Sequence, residues 1–271
     1  MTSVTFRFDD QTVLVTGGAT GLGFAIAEAF GAAGARIALN DLSQARVARA
    51  GAALGEAGIA WRGYPADVRD AGAVTRMLDE INATSGGPDV LVANAGIYPN
   101  TPFLDLSEEE WDSVLDTNVK GVFLTCQAAA RVMARTSRGG QIITVSSGAA
   151  NTAYWGWAHY CTSKAAVVML TKAMALELGG HDVRVNAVLP GYIDVEEGGR
   201  HLDEAYKTAA RSAIPLGRPG APADVARVIL LLASPLAGYV SGAVVSVDGG
   251  SSAGRLALRP SGPFPDGEAA S

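Results

Sequence analysis

The 271-residue chain is 48% apolar with a mean hydropathy of +0.20, enough to bury a large core in one α/β domain spanning residues 1–271. A net charge of −6 and a pI near 5.1 argue against a nucleic-acid surface, which needs a clustered basic field. No apolar run is long enough for a membrane span, and Met1 to Asp10 lacks the basic-then-apolar layout of a secretory leader. Cys126 and Cys161 form no disulfide framework, and His159, His181 and His201 show no ligand spacing, so a reducing cytoplasm and no metal are expected.

Residues 12–16 are a β-branched apolar run that stops at glycine, which reads as a buried strand. A helical pattern over 22–33 ends at Gly34, and 36–41 reads as a second strand, with Ser43 placed to cap the alanine-rich helix after it. Further strands are expected at 60–64, 90–93, 141–145, 184–189 and 244–247, and helices at 71–83, 108–135, 160–178 and 222–233. Ser107 to Glu110 has the capping-box spacing, with acidic residues in a first turn where the helix dipole favours them. Apolar rather than alternating strands, separated by helices, imply a parallel sheet covered on both faces: a doubly wound Rossmann fold of seven strands, with its core at about 9–250. The long segment 191–214 reads as a lid. The Pro-, Gly-, Ser- and Ala-rich tail 254–271 has no periodicity and reads as flexible or docked on a neighbour.

The first strand joins the first helix through Thr16-Gly17-Gly18-Ala19-Thr20-Gly21-Leu22-Gly23. Glycines there allow a sharp turn and let a pyrophosphate approach the free N–H groups of a helix start. Asp41 ends the second strand eighteen residues beyond Gly23, where a carboxylate can accept both ribose hydroxyls of NAD and repel the 2′-phosphate of NADP. No basic residue lies in the turn or directly after Asp41, and Arg46 is the nearest one downstream, so the charges favour NAD.

Tyr160 and Lys164 stand four residues apart and share one face of their helix. An ammonium about 4 Å from a phenol contributes roughly 4 kcal/mol at an effective dielectric near 20, about three pK units. Lys164 is therefore expected to lower Tyr160 toward neutral pH and make it an acid/base. Ser146 or Ser147 can orient a substrate oxygen beside it. Cys161 points about 100° away around the helix and reads as core packing.

From about residue 12 to 250 the chain resembles the short-chain dehydrogenase/reductase family. The motifs in register are T-G-x-x-x-G-x-G, Ala66-Asp67-Val68, Asn94-Ala95-Gly96, Thr117-Asn118-Val119, Ser147, Tyr160-x-x-x-Lys164, Pro190-Gly191 and Asp248-Gly249-Gly250. The resemblance implies a hydride transfer between nicotinamide and a carbonyl or carbinol carbon. It selects Ser147, thirteen residues before Tyr160, over Ser146, and completes a tetrad with Asn118, whose place in the helix would bend it and hold a relay water. It assigns the cofactor to Gly17, Thr20, Gly21, Leu22, Gly23, Asp41, Asp67, Val68, Asn94, Ala95, Gly96, Tyr160, Lys164, Pro190, Gly191 and Ile193, although Asp67 equally reads as a strand-end turn residue. Val195 stands where the family often has a threonine, leaving that contact to backbone groups near Ile193.

Substrate is expected at Ser147, Tyr160, Tyr98, Asn151, Trp157 and Tyr192, with Ile97, Tyr154, Trp155, His159, Glu196, Glu197 and Arg200 around them. Aromatics with a few polar groups suit a sugar, polyol or cyclic alcohol, and equally an aryl or cyclic ketone; the same aromatics would also suit a subunit interface. The competing activities are β-ketoacyl reduction, which would favour NADPH and a basic docking patch, and non-catalytic dinucleotide sensing. The family further implies a homotetramer built through helices 108–135 and 160–178.

Overall fold

The computed structural model describes residues 6–136, 138–195 and 211–254. Seven strands, β1 (Thr12–Val15), β2 (Arg36–Asp41), β3 (Trp61–Pro65), β4 (Val90–Ala93), β5 (Gly140–Val145), β6 (Val183–Pro190) and β7 (Val244–Val247), form one sheet in the order β3-β2-β1-β4-β5-β6-β7. Every neighbouring pair is parallel. The helices are α1 (Gly21–Ala32), α2 (Gln44–Glu56), α3 (Ala71–Ser85), α4 (Glu108–Leu115), α5 (Gly121–Thr136), α6 (Ala158–Leu178) and α7 (Pro222–Ala233).

Successive strand residues point to opposite faces, and both faces are covered. Val13, Val15, Ile37, Leu39, Val90 and Val92 pack with Ile26 and Phe30 of α1, Leu54 of α2 and Ile229 of α7. The alternate residues Leu14, Ala38, Leu91 and Ile142 pack with Leu78 and Ile81 of α3, Cys126 and Met133 of α5 and Val167 of α6. This double burial is why the strands read as unbroken apolar runs.

The expected helix over 108–135 is three pieces. Between α4 and α5 the five residues Asp116–Lys120 form a π turn that contains Asn118. The capping box is half made: Ser107 Oγ accepts the Glu110 N–H at 3.2 Å, while the Glu110 carboxylate turns to other partners. Of the expected lid, 196–210 lies outside the described residues, as does the tail from 255; Ile193 forms a parallel bridge with Gly220. Among the described residues, no helix is long and apolar enough to cross a membrane.

Candidate functional site

In a parallel sheet all strands end at one edge, and the chain changes direction there between β1 and β4. The two strand ends are tied together. Thr16 Oγ1 accepts the N–H groups of Asn94 (3.1 Å) and Ala95 (3.2 Å), and Asn94 Nδ2 donates to the carbonyls of Thr16 and Gly17, both at 3.1 Å. The turn needs its glycines. Gly17 has φ +59°, and a Cβ on Gly23 would lie 2.1 Å from the Gly17 carbonyl oxygen. Thr20, the N-cap of α1, makes no side-chain cap, and no acidic residue occupies the first turn. The first N–H groups of α1 thus face the strand-end cleft with no side chain competing for them, which fits the pyrophosphate of a dinucleotide.

Asp41 closes β2 at the same edge, 6% exposed. Its charge is not left open as expected: Arg46, in the first turn of α2, donates to Oδ1 through Nε at 2.9 Å and Nη2 at 2.5 Å. The tight turn through Ser43, which caps α2 at the Arg46 N–H, brings that guanidinium back over the strand end. Asp67 is likewise paired: Arg69 grips both its oxygens, and this hydrogen bonding holds its carboxyl below the usual range. That observation supports the strand-end turn reading at least as well as an adenine contact. Val68, 7% exposed, lies under Gly121 of α5.

The tetrad residues meet beyond the ends of β4 and β5. Asn118 is fully buried; its Oδ1 accepts the Ile97 N–H at 2.8 Å, while Nδ2 donates to the Ile97 carbonyl at 2.9 Å and Ser163 Oγ at 3.0 Å. Ser163 donates in turn to the Tyr160 carbonyl at 2.7 Å. A Cβ on Gly96 would lie 3.1 Å from Asn118 Oδ1 and 3.6 Å from Lys164 Nζ, so that glycine keeps the strand-end backbone close to both. Lys164 Nζ donates to the Val145 carbonyl at 3.0 Å and lies 5.6 Å from the Tyr160 ring centroid. Ser147 Oγ accepts the Ala149 N–H at 3.1 Å and is near enough to the Tyr160 hydroxyl to favour its ionised form. Ser146 turns away, donating to the Lys164 carbonyl at 2.8 Å.

The electrostatics depart from the expectation for Tyr160. Burial pushes its hydroxyl up to about 12, with the Ser147 hydrogen bond opposing, and burial brings Lys164 down to about 8. Desolvation disfavours both charged forms. From protein groups alone, then, desolvation outweighs the lowering expected from Lys164.

Around the Tyr160 ring stand Tyr98, with centroids 6.2 Å apart, and Trp157, at 5.8 Å, which itself stacks edgewise on Tyr154 at 5.7 Å. Asn151 is exposed after the short turn 148–150, and Tyr192 is half-buried just past Gly191. Gly191 packs so closely on Asp248 that a Cβ would lie 2.6 Å from the Asp248 Cβ. His159 does not line this wall. It is fully buried, its Nε2 3.0 Å from Glu110 Oε1, the oxygen that also accepts from Thr101 Oγ1 at 2.7 Å. Sequence reasoning missed this link, because 49 residues separate Glu110 from His159. Cys161 is half-buried rather than in the core, and lines a shallow apolar depression with Phe103, Tyr154 and Trp155.

Residues 17–252 match the family described as enoyl-(acyl carrier protein) reductase. The chain is 40% identical over 245 residues to a D-threitol dehydrogenase of Mycolicibacterium smegmatis, covering 90% of this chain and 94% of that one. It is 40% identical over 252 residues to a mouse (3R)-3-hydroxyacyl-CoA dehydrogenase, covering 90% and 97%. The fold superposes with a TM-score of 0.87 on a 7α-hydroxysteroid dehydrogenase complexed with NADH and 7-oxo glycochenodeoxycholic acid, at 29% identity, covering 92% and 97% of the two chains.

Proposed function

The chain belongs to the short-chain dehydrogenase/reductase family of oxidoreductases, and from that premise we propose that it is an NAD-dependent dehydrogenase acting on a secondary alcohol, or on the corresponding ketone in reverse. The observation that carries this reading is the grouping of Tyr160 with Ser147, which eases its hydroxyl downward, and with buried Lys164, 5.6 Å from its ring, on the sheet edge that also holds the 17–23 turn.

The dinucleotide supplies or takes up the hydride when bound. Gly17, Thr20, Gly21, Leu22 and Gly23 receive its pyrophosphate, Asp41 its adenosine ribose, and the stretches 66–68, 94–96 and 190–193 border the rest. The Ser147 hydroxyl holds the substrate oxygen against Tyr160, whose phenol gives or takes the proton. A phenol held at about 12 is a poor base in mid-range pH, so a positive nicotinamide would have to join the Lys164 ammonium in bringing it down. Asn118 fixes the backbone at Ile97 and, through Ser163, the turn carrying Tyr160.

Tyr98, Trp157 and Tyr154 give the substrate wall flat apolar faces, while Ser147 and Asn151 add polar groups; this suits a sugar, polyol or cyclic alcohol. Similarity to a threitol dehydrogenase supports that reading, and similarity to a hydroxyacyl-CoA dehydrogenase favours the alternative of an acyl substrate. One catalytic domain, acting in the cytoplasm as a homotetramer through α5 and α6, completes the reading; exposed Phe123, Met169 and Leu176 on those helices support the assembly.

The test is an NAD-reduction screen of purified protein against sugars, polyols, cyclic alcohols and hydroxyacyl thioesters. At least one class should give turnover that Tyr160→Phe abolishes while coenzyme binding persists. Near-normal turnover in that variant removes the assignment.

A further inference from the structure

The coenzyme reading above leaves one charged group without a task. Arg46 is a half-exposed arginine whose guanidinium donates through Nε and Nη2 to the carboxylate assigned above to the adenosine ribose. Three donors converge on Asp41 Oδ1: the Ser43 N–H at 3.1 Å, Arg46 Nε at 2.9 Å and Arg46 Nη2 at 2.5 Å. Among the described residues none donates to Oδ2. The strand end is itself fixed, since the Asp41 carbonyl accepts the Ala66 N–H at 3.1 Å. The carboxylate is therefore gripped from one side, with one oxygen left to accept hydroxyls.

We propose that Arg46 is a specificity-determining residue for the dinucleotide, holding Asp41 through Oδ1 so that Oδ2 receives the ribose hydroxyls, and cancelling much of the charge that excludes a 2′-phosphate. An unpaired carboxylate at this position repels a phosphate of nearly two negative charges. The Asp41–Arg46 pair is neutral as a unit, and Arg46 has an N–H fork only partly used by Asp41, with donors left for phosphate oxygens. Hydroxyl recognition survives, since it depends on the free oxygen and not on net charge. The chain consequently prefers NAD by a narrow margin, and Arg46 sets its width. The side chain is 46% exposed, so the contribution weakens as salt rises.

The experiment is a titration of wild type, Arg46→Gln and Arg46→Gln/Asp41→Asn with NADH and with NADPH, followed by dihydronicotinamide fluorescence, with circular dichroism to establish folding. At low salt, Arg46→Gln should bind NADH within about threefold of wild type and NADPH about tenfold or more weaker, a change set by one charge at close range. Adding Asp41→Asn should bring the NADPH-to-NADH ratio of dissociation constants back toward wild type, because no carboxylate is left to neutralise. A ratio unchanged by Arg46→Gln, or one that the double variant fails to restore, overturns the proposal while leaving the coenzyme reading intact. Failure of wild type to bind either dinucleotide overturns both.

Discussion

Glu110 on α4 holds His159 on α6 across a gap of 49 residues, with Oε1 and Nε2 3.0 Å apart, and His159 directly precedes Tyr160. The same oxygen takes the Thr101 hydroxyl, so one carboxylate joins the segment after β4 to the start of the helix that carries the tetrad tyrosine and lysine. Glu110→Ala should lower the unfolding free energy by about 1–3 kcal/mol, since it strands a buried imidazole. It should cut turnover more than coenzyme affinity, because the 17–23 turn lies elsewhere on the sheet edge. Parallel denaturant melts, NADH titrations and steady-state rates check this; equal losses in rate and coenzyme affinity refute the local role.

Asn118→Ala removes the partners of the Ile97 N–H and carbonyl and of Ser163 together. A destabilisation of about 2 kcal/mol or more follows from leaving two backbone groups unpaired at a buried site. Chemical denaturation measures it, and a loss under half a kcal/mol, on the order of an ordinary surface change, would show that the amide clamp is dispensable.

Gly23→Ala places a methyl 2.1 Å from the Gly17 carbonyl oxygen and 2.6 Å from Asn94 Nδ2. Neither backbone nor staple can yield without opening the turn, so NADH affinity should fall about tenfold or more, roughly 1.4 kcal/mol. Gly179→Ala, where no atom lies within 4 Å of the added carbon, serves as the harmless comparison. Equal NADH affinities for the two variants would contradict the proposed path of the pyrophosphate.

The burial of Lys164 carries a pH signature. Its folded-state value of about 8 lies below the unfolded value near 10.5, so between these the unfolded chain binds more protons and stability rises with pH. Tyr160 acts in the opposite sense above pH 10, where the unfolded phenol ionises before the folded one at about 12. Thermal melts without added coenzyme should therefore show wild type gaining up to about 3 kcal/mol between pH 8 and 10 relative to Lys164→Met. A parallel pH course in the two proteins would place the lysine in a more solvated setting than the structure gives it.

The sheet was legible because burial on both faces writes each strand as a short apolar run, and the glycine turn and Tyr160/Lys164 pair were legible because their chemistry depends on fixed local spacing. The π turn was not, since residues 108–135 carry an unbroken helical pattern on either side of it. Arg46 reads in the sequence only as the nearest basic residue downstream of Asp41, and the reversal at Ser43 is what brings it back onto the carboxylate. The Glu110–His159 link leaves no local trace, and Glu110 was absorbed into a capping pattern it only half fulfils. The raised Tyr160 hydroxyl reflects its desolvation in a half-buried setting beside fully enclosed Lys164, which spacing along a helix does not reveal.

The π turn also sets phase. At about 100° per residue, an uninterrupted helix would rotate Val122, Cys126, Ala129 and Met133 by roughly 90° on average from Val114. Yet all five are buried. The turn at Asp116–Lys120 takes up the rotation of about one residue, which offsets that quarter-turn between Val114 and the buried residues of α5. Deleting a single residue there would restore a regular helix and swing the whole of α5 out of register with the sheet, which makes this wide turn a rotational coupling between the two helices as well as the seat of Asn118.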